Sequence, residues 1–390
     1  MLYSYHAYGR DGKPVRGTLY ANDERDAARR LLELGLYAGR IVSAPGPRPL
    51  RTGTRAALYR ELGALLSAGL PLDRALDILT EQMPDFSAVL GTIREGVRSG
   101  RGLAAPLAET ASGATSFERA ILASAEKSAT LPLMLGRLAD FLETEDTTRA
   151  TIRSALIYPS FVLTLGLIVA MVMLGVIVPK TTAVLADAGM ALPASSRYLV
   201  RGAQILLFLI VPLVGSAVTT FLAARLRARK NRAAAIALDR FLLRLPGMQP
   251  ARLRAAQRFA SVFGILLESG TTVPDAIPLS AAAMGHPYLE EAVLRARAKI
   301  VGGASPAKEL ASVPYLGVEL AQWIRVGEAG GCLPAMLSVA SSRLDARASR
   351  TLSARIALLE PSLLAAVGLF TLALALALLL PVLNLTKLAG

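Results

Sequence analysis

The chain has little of the chemistry on which enzymes and metal proteins are built: among 390 residues it has one cysteine, two histidines and only 5% aromatic residues. With Cys332 alone there is no intrachain disulfide, which suits domains kept in the reducing cytoplasm. His6 and His286 stand far apart, with neither metal-ligand spacing nor a cysteine or serine nucleophile beside them. Gly12-Lys13 looks superficially like the end of a phosphate loop. Pro14, however, stands where Ser or Thr is required, so the pair reads as a turn. The first residues carry Arg10, Asp11 and Lys13 in place of an apolar core, which argues against a signal peptide. The expected sets of catalytic, cofactor-binding and metal-ligating residues are all empty.

Charge is missing in a patterned way. No Asp, Glu, Lys, Arg or His occurs from Ile157 to Val178, from Gly202 to Ala224, or from Pro361 to Thr386. Each run reaches the roughly 20 residues that cross a bilayer core, and Leu, Ala and Val carry the 53% apolar content. Transporters and proton relays place ionisable groups at membrane depth. These runs hold only groups such as Ser160, Thr164, Gln204 and Thr371, which suit helix packing. A small transporter or channel is therefore the disfavoured alternative class, and the spans read as an anchor and assembly surface.

The net charge of +14 is unevenly spread. Ten arginines and lysines fall between Arg225 and Arg258, with Asp239 the only acid among them, whereas the segment between the first two runs offers Lys180, Arg197 and Arg201. The positive-inside rule puts the long segment after the second run in the cytoplasm and the short loop outside. Such basic flanks also hold anionic lipid headgroups. No aromatics interleave with the arginines as base stacking would need, which excludes nucleic acid as a partner.

The largest feature present is a duplication. Gly69, Glu126, Pro159 and Pro179 recur as Gly270, Glu328, Pro361 and Pro381, about two hundred residues on, a period that marks a duplicated domain. Leu65-Leu66-Ser67-Ala68-Gly69 answers Leu266-Leu267-Glu268-Ser269-Gly270. Leu58, Leu62, Leu65 and Leu66, then Leu72, Ala75, Leu76 and Leu79, fall at helical spacing, separated by Gly69-Leu70-Pro71. Leu131, Leu135, Leu138 and Leu142 mark another amphipathic helix before the membrane.

The expected architecture is an all-α membrane protein preceded by a small α+β module. Residues 1–50 form that module and its linker, with strands around Tyr3–Tyr8 and Gly17–Ala21 and a helix capped by Asn22-Asp23 and stopped at Gly35. Residues 54–155 form a cytoplasmic bundle of about six helices, 156–179 the first span, 180–201 a periplasmic loop and 202–224 the second span. Residues 225–356 form the second bundle and 359–385 the third span. The unduplicated second span returns the chain, so the two copies lie parallel on one side, unlike inverted-repeat transporters.

Seven residues stand out as interaction or structural candidates: Gly69, Glu126, Pro159, Gly270, Glu328, Gly330 and Pro361. The two glutamates occupy equivalent places beside a helix break and a Leu-Pro pair. Each reads as a helix-end carboxylate that meets amides or the helix dipole, with an interface or metal contact as the other possibility. Neither has oxygen ligands around it at calcium spacing.

Leu65-Leu66-Ser67-Ala68-Gly69-Leu70-Pro71-Leu72, Leu138-Ala139-Asp140-Phe141-Leu142-Glu143, Ala155-Leu156-Ile157-Tyr158-Pro159, Val326-Gly327-Glu328-Ala329-Gly330 and Leu359-Glu360-Pro361 together resemble the inner-membrane protein F family of type II secretion. The close cousin is the platform protein of type IV pilus assembly. Ala186-Asp187-Ala188-Gly189-Met190-Ala191-Leu192-Pro193 and Leu383-Asn384-Leu385 look like the secretion branch. In one place the chain departs from the pattern. Ala125-Glu126-Lys127-Ser128-Ala129 lacks the glycine that Glu328-Ala329-Gly330 keeps, so the first helix break is expected to be built differently.

The resemblance implies a non-enzymatic, multi-pass protein of the bacterial inner membrane with a cytoplasmic N-terminus. It implies an assembly platform that couples a cytoplasmic secretion ATPase to pseudopilus assembly and protein export, with a type IV pilus platform as the alternative. The implied partners are the secretion ATPase, other inner-membrane secretion subunits, pilin-like pseudopilins, anionic membrane lipids and further copies of the chain.

Overall fold

The computed structural model describes residues 2–9, 12, 14–20, 23–33, 35–43, 50–110, 112–177 and 231–388, with scattered positions from 179 to 227. Most of the second charge-free run at 202–224, nearly all of the loop at 180–201 and most of the linker lie outside the described residues. The chain divides into two compact units.

The first unit holds residues 1–147, 256–285 and 292–341. It begins with strands β1 (Leu2–Tyr8) and β2 (Pro14–Tyr20), helix α1 (Glu24–Glu33) and strand β3 (Tyr37–Ser43). The sheet is antiparallel in the order β2-β1-β3. Asp23 starts α1 by accepting the amide of Asp26 at 2.7 Å, and Gly35, at φ +73°, turns the chain out of it.

Helices follow: α2 (Thr52–Ser67), α3 (Leu72–Gln82), α4 (Ser87–Arg98), α5 (Ala104–Glu109), α6 (Ser116–Lys127) and α7 (Leu131–Val172). After α8 (Arg232–Arg244) a similar succession of longer and shorter helices returns in α9 (Gln249–Glu268), α10 (Val273–Ala283), α11 (Pro287–Val301), α12 (Pro306–Ala311), α13 (Val318–Gly330) and α14 (Leu333–Leu388). Among the described residues, six helices of the first copy thus answer six of the second, and α8 has no counterpart.

Each repeat closes around its own apolar core. Leu58, Leu62, Leu76, Leu90, Ile93, Ile121 and Leu135 are buried in the first copy, and Phe259, Phe263, Ile277, Val293, Leu320 and Leu337 in the second. Burial of side chains this size stabilises by about 1.5–3 kcal/mol each. The first and last helices of each bundle approach at a glycine. A Cβ on Gly63 would lie 3.2 Å from Leu135 Cβ, and one on Gly264 would lie 3.3 Å from Leu337 Cβ. The two repeats therefore share their packing as well as their helix order.

The second unit holds residues 148–255, 286–291 and 342–390. It contains the apolar parts of α7 and α14, the first continued by a π-helical turn at Met173–Ile177. Pro159 and Pro361 sit inside these helices, so the carbonyls of Ala155 and Ala357 lose their i+4 donors at equivalent places. Among the described residues, two helices are long and apolar enough to cross a membrane, over Leu131–Ile177 and Leu333–Leu372. Their apolar windows are 6% and 0% buried, leaving side chains such as Ile157, Phe161, Leu369 and Leu372 bare. Apolar surface of that extent is not left in water. α7 runs unbroken through residue 155, where the sequence reading separates bundle from span.

Candidate functional site at the helix breaks

Gly69 and Gly270 end α2 and α9 in the left-handed region, at φ +88° and +93°. The bonds around them match: Gly69 N–H donates to Leu66 O and Leu70 N–H to Leu65 O, as Gly270 N–H does to Leu267 O and Thr271 N–H to Leu266 O. This is a Schellman stop, in which a side chain at the turn residue would be strained.

Glu126 and Glu328 do the same job in the two copies. Glu126, on α6, accepts the amide of Leu103 at the start of α5. Glu328, on α13, accepts the amide of Ala307 at 3.2 Å and the Ser305 hydroxyl at 3.0 Å at the start of α12. Each short helix therefore has one amide at its start bonded to a carboxylate from the next helix, which also faces its positive dipole end. Gly102 makes room for this: at φ +69°, a Cβ there would lie 2.7 Å from Glu126 Oε2. The two carboxylates share no partner among the described residues. An open groove of about 580 Å³ beside Glu126 is bordered by Arg101, Arg119 and Lys127. Among the described residues, no group of three His, Cys, Asp or Glu side chains is placed to hold a metal ion.

The first helix break is not built differently, as the missing glycine led us to expect. Ala129 adopts φ +56° where Gly331 has φ +65°. Thr130 N–H donates to Ala125 O at 3.0 Å, as Cys332 N–H does to Gly327 O at 3.0 Å. The turn hydrogen bond and the packing of α7 hold the backbone there, so alanine bears the left-handed strain that glycine avoids. The turn residue is Gly331; Gly330 is the last residue of α13.

Four further contacts had no signal in the sequence. Glu118 is fully buried and accepts from Arg55 Nε at 3.1 Å, Arg55 Nη2 at 3.3 Å, Tyr59 OH at 3.0 Å, and the amide and hydroxyl of Thr115. Arg55 also donates to Leu50 O at 2.9 Å, so one carboxylate joins the incoming linker, α2 and α6. Burial, then the charge of Glu118, pushes the Tyr59 phenol well above its ordinary range. The equivalent places in the second copy hold Ala256, Leu320 and Ala260, all buried, with Phe259 and Phe263 beside them where the first copy has Leu58 and Leu62.

The other three contacts join the copies inside the first unit. Arg258 of α9 grips Glu145 of α7 with two parallel bonds. Ser124 of α6 donates to Ser269 O at 2.8 Å, and Arg137 of α7 to Glu268 at 3.1 Å. These helices are more than 110 residues apart in sequence, so periodicity alone could not pair them.

Residues 58–179 and 259–381 each match the family described as type II secretion system protein F, and residues 1–42 match its N-terminal domain. The chain is similar to the type IV pilus assembly protein PilC of Thermus thermophilus, at 31% identity over 384 residues and 94% of each chain. It is also similar to the type 4 fimbrial assembly protein PilC of Pseudomonas putida, at 29% identity over 99% of this chain and 98% of that one. Similarity to type II secretion system protein F of Pseudomonas aeruginosa is 28% over 100% and 99% of the two chains.

Proposed function

Given that the chain belongs to the type II secretion system protein F family, we propose that it is the inner-membrane assembly platform of a type II secretion system. The observation that carries this reading is the double family match, each copy running from a helical bundle into a charge-free apolar helix. In this role the protein works mechanically and not by catalysis. Its partners are a cytoplasmic secretion ATPase, neighbouring inner-membrane subunits, pilin-like pseudopilins, anionic lipids and other copies of itself.

We assign the topology from charge. Three spans at 156–179, 202–224 and 359–385 place the module at 1–50 and both bundles, 54–155 and 225–356, in the cytoplasm, with 180–201 in the periplasm. Gly69, Glu126, Pro159, Gly270, Glu328, Gly330 and Pro361 serve as joints that keep each bundle rigid, so that force applied to it reaches the spans. The shared Glu capping geometry supports that assignment.

A type IV pilus platform is the second reading, favoured by the 31% identity with the Thermus PilC protein. Deleting the gene in its own host separates the two. Loss of exported proteins from the medium with surface pili intact supports the secretion platform; loss of pili with export intact supports the pilus platform. A reporter fused at Ser312 that was active only in the periplasm would refute the topology.

A further inference from the structure

We propose that α8 is a membrane-surface helix whose outer face binds anionic phospholipid. The inference rests on the reading that the charge-free runs cross a bilayer, and it gives that bilayer a second contact with the chain. Among the described helices beyond the linker, α8 is the one with no counterpart in the other copy, so the duplicated bundle plan does not account for it.

Its roll is fixed from the inside. Asp239 accepts from Tyr288 N–H at 3.0 Å and contacts His286 Nδ1 at 2.7 Å, Arg232 pairs with Glu290 at 3.1 Å, and Leu243 is fully buried. The opposite face then carries Ala233, Ala237, Phe241 and Leu245 at four-residue spacing, all exposed, with Phe241 63% bare. Arg240 and Arg244 flank this stripe, Arg240 lying over the Tyr288 ring at 5.8 Å. An exposed apolar stripe between arginines suits the boundary between headgroups and acyl chains, where the stripe sinks about 5–10 Å and the guanidinium groups meet phosphates.

Position points the same way at both ends of the helix. At its start, Asn231 N–H donates to Arg227 O at 2.9 Å and the Asn231 side chain caps α8 by accepting from Ala233 N–H, which ties α8 to helical residues 225–227. Those residues directly follow the charge-free run that ends at Ala224. At its far end, Arg252 holds the carbonyl of Leu243. The following turn is fastened to α14 by Arg355, which donates to Gln249 at 3.3 Å and packs against Gly247. Arg355 is the last cation before the third charge-free run, six residues ahead of Pro361. Both ends of α8 are therefore held at places where the chain meets the membrane. The charge on its outer face is complementary to an anionic leaflet.

The test uses the full chain reconstituted in phosphatidylcholine vesicles with or without about 30% phosphatidylglycerol. Trp323→Phe removes the single tryptophan, and Phe241→Trp or Leu372→Trp then introduces a probe on α8 or in the third span. With phosphatidylglycerol present, the emission of the Phe241→Trp probe should shift to the blue. Lipids brominated high on the acyl chain should quench it by about half, and aqueous acrylamide should quench it little. Adding Arg227→Ala and Arg244→Ala should erase the difference between the two lipid compositions. If bromolipid quenches the Leu372→Trp probe while the Phe241→Trp probe stays open to acrylamide, the inference is overturned and the spanning reading stands. If neither probe is quenched by bromolipid, the spanning reading falls and the inference with it.

Discussion

Arg258 holds Glu145 side-on, with Nε 2.6 Å from Oε1 and Nη2 2.5 Å from Oε2, and so ties the second repeat to the first. The carboxylate is only 8% exposed and the guanidinium 25%. An ion pair this dry is costly to break on one side, because the remaining charge keeps its desolvation cost. Glu145→Gln or Arg258→Met alone should destabilise the protein by about 3 kcal/mol. The double variant should lose less than the sum, with a coupling of about 1–3 kcal/mol. Urea unfolding of the full chain in detergent, followed by Trp323 emission, measures this. Additive losses would show that the pair contributes no joint of its own.

The buried Glu118 predicts an asymmetry between repeats that are otherwise alike. Glu118→Leu leaves Arg55 charged at a site that is 9% exposed, with its main counter-ion gone, and should cost about 3–5 kcal/mol. Leu320, the equivalent residue, has no charge to satisfy. Leu320→Ala should cost the about 2–5 kcal/mol of an ordinary core truncation. The two differ in rescue: adding Arg55→Met should recover much of the Glu118→Leu loss in the same unfolding assay.

Tyr59 should give stability an alkaline limb. Its folded pKa is raised by burial and by Glu118, so its contribution is complete below the unfolded value near 10. Above that pH the unfolded chain releases the phenolic proton while the folded chain keeps it. Stability should then fall by about 1.4 kcal/mol per pH unit from this group. Tyr59→Phe, which loses one hydrogen bond, should be less stable by about 1 kcal/mol at neutral pH. The gap should close or reverse above about pH 10. A gap that stays constant would remove the linkage.

Glu126→Gln and Glu328→Gln should each cost about 0.5–2 kcal/mol, the range for an N-terminal helix cap, and should leave membrane insertion intact. Hydrogen exchange at the amides of Leu103 and Ala307 should report the loss locally. Unchanged protection in both variants would mean that the carboxylates do not hold the short helices.

These effects divide along the line between what local pattern encodes and what folding brings together. Gly69 and Gly270 were legible because a stop needing positive φ leaves glycine in the sequence, and the adjoining helices because apolar side chains repeat at helical spacing. The equivalence of Glu126 and Glu328 was legible from the duplication. Their partners were not: Leu103 and Ala307 donate through backbone amides, which every residue has. Glu118 is a charged residue in a core, and composition gives such residues to the surface. α8 was hidden in the basic run from Arg225 to Arg258. Its arginines were read as one electrostatic flank, and the stripe through Phe241 shows only once Asp239 and Leu243 fix which side faces in.

The last prediction concerns the break that was expected to differ and does not. Ala129 and Gly331 occupy the same left-handed turn, at φ +56° and +65°, and both are exposed. A Cβ at Gly331 would meet nothing within 4 Å, so packing does not decide between the residues and the backbone term stands alone. An L-residue pays about 1–2 kcal/mol for this conformation, and glycine offsets part of its own advantage through greater freedom when unfolded. Ala129→Gly should therefore stabilise the first repeat by about 0.5–1 kcal/mol, and Gly331→Ala should destabilise the second by a similar amount. The opposite signs make the pair a controlled test, since both changes exchange the same two side chains at equivalent turns. Urea midpoints moving in the same direction for both variants would show that the turn is not held left-handed in the first copy.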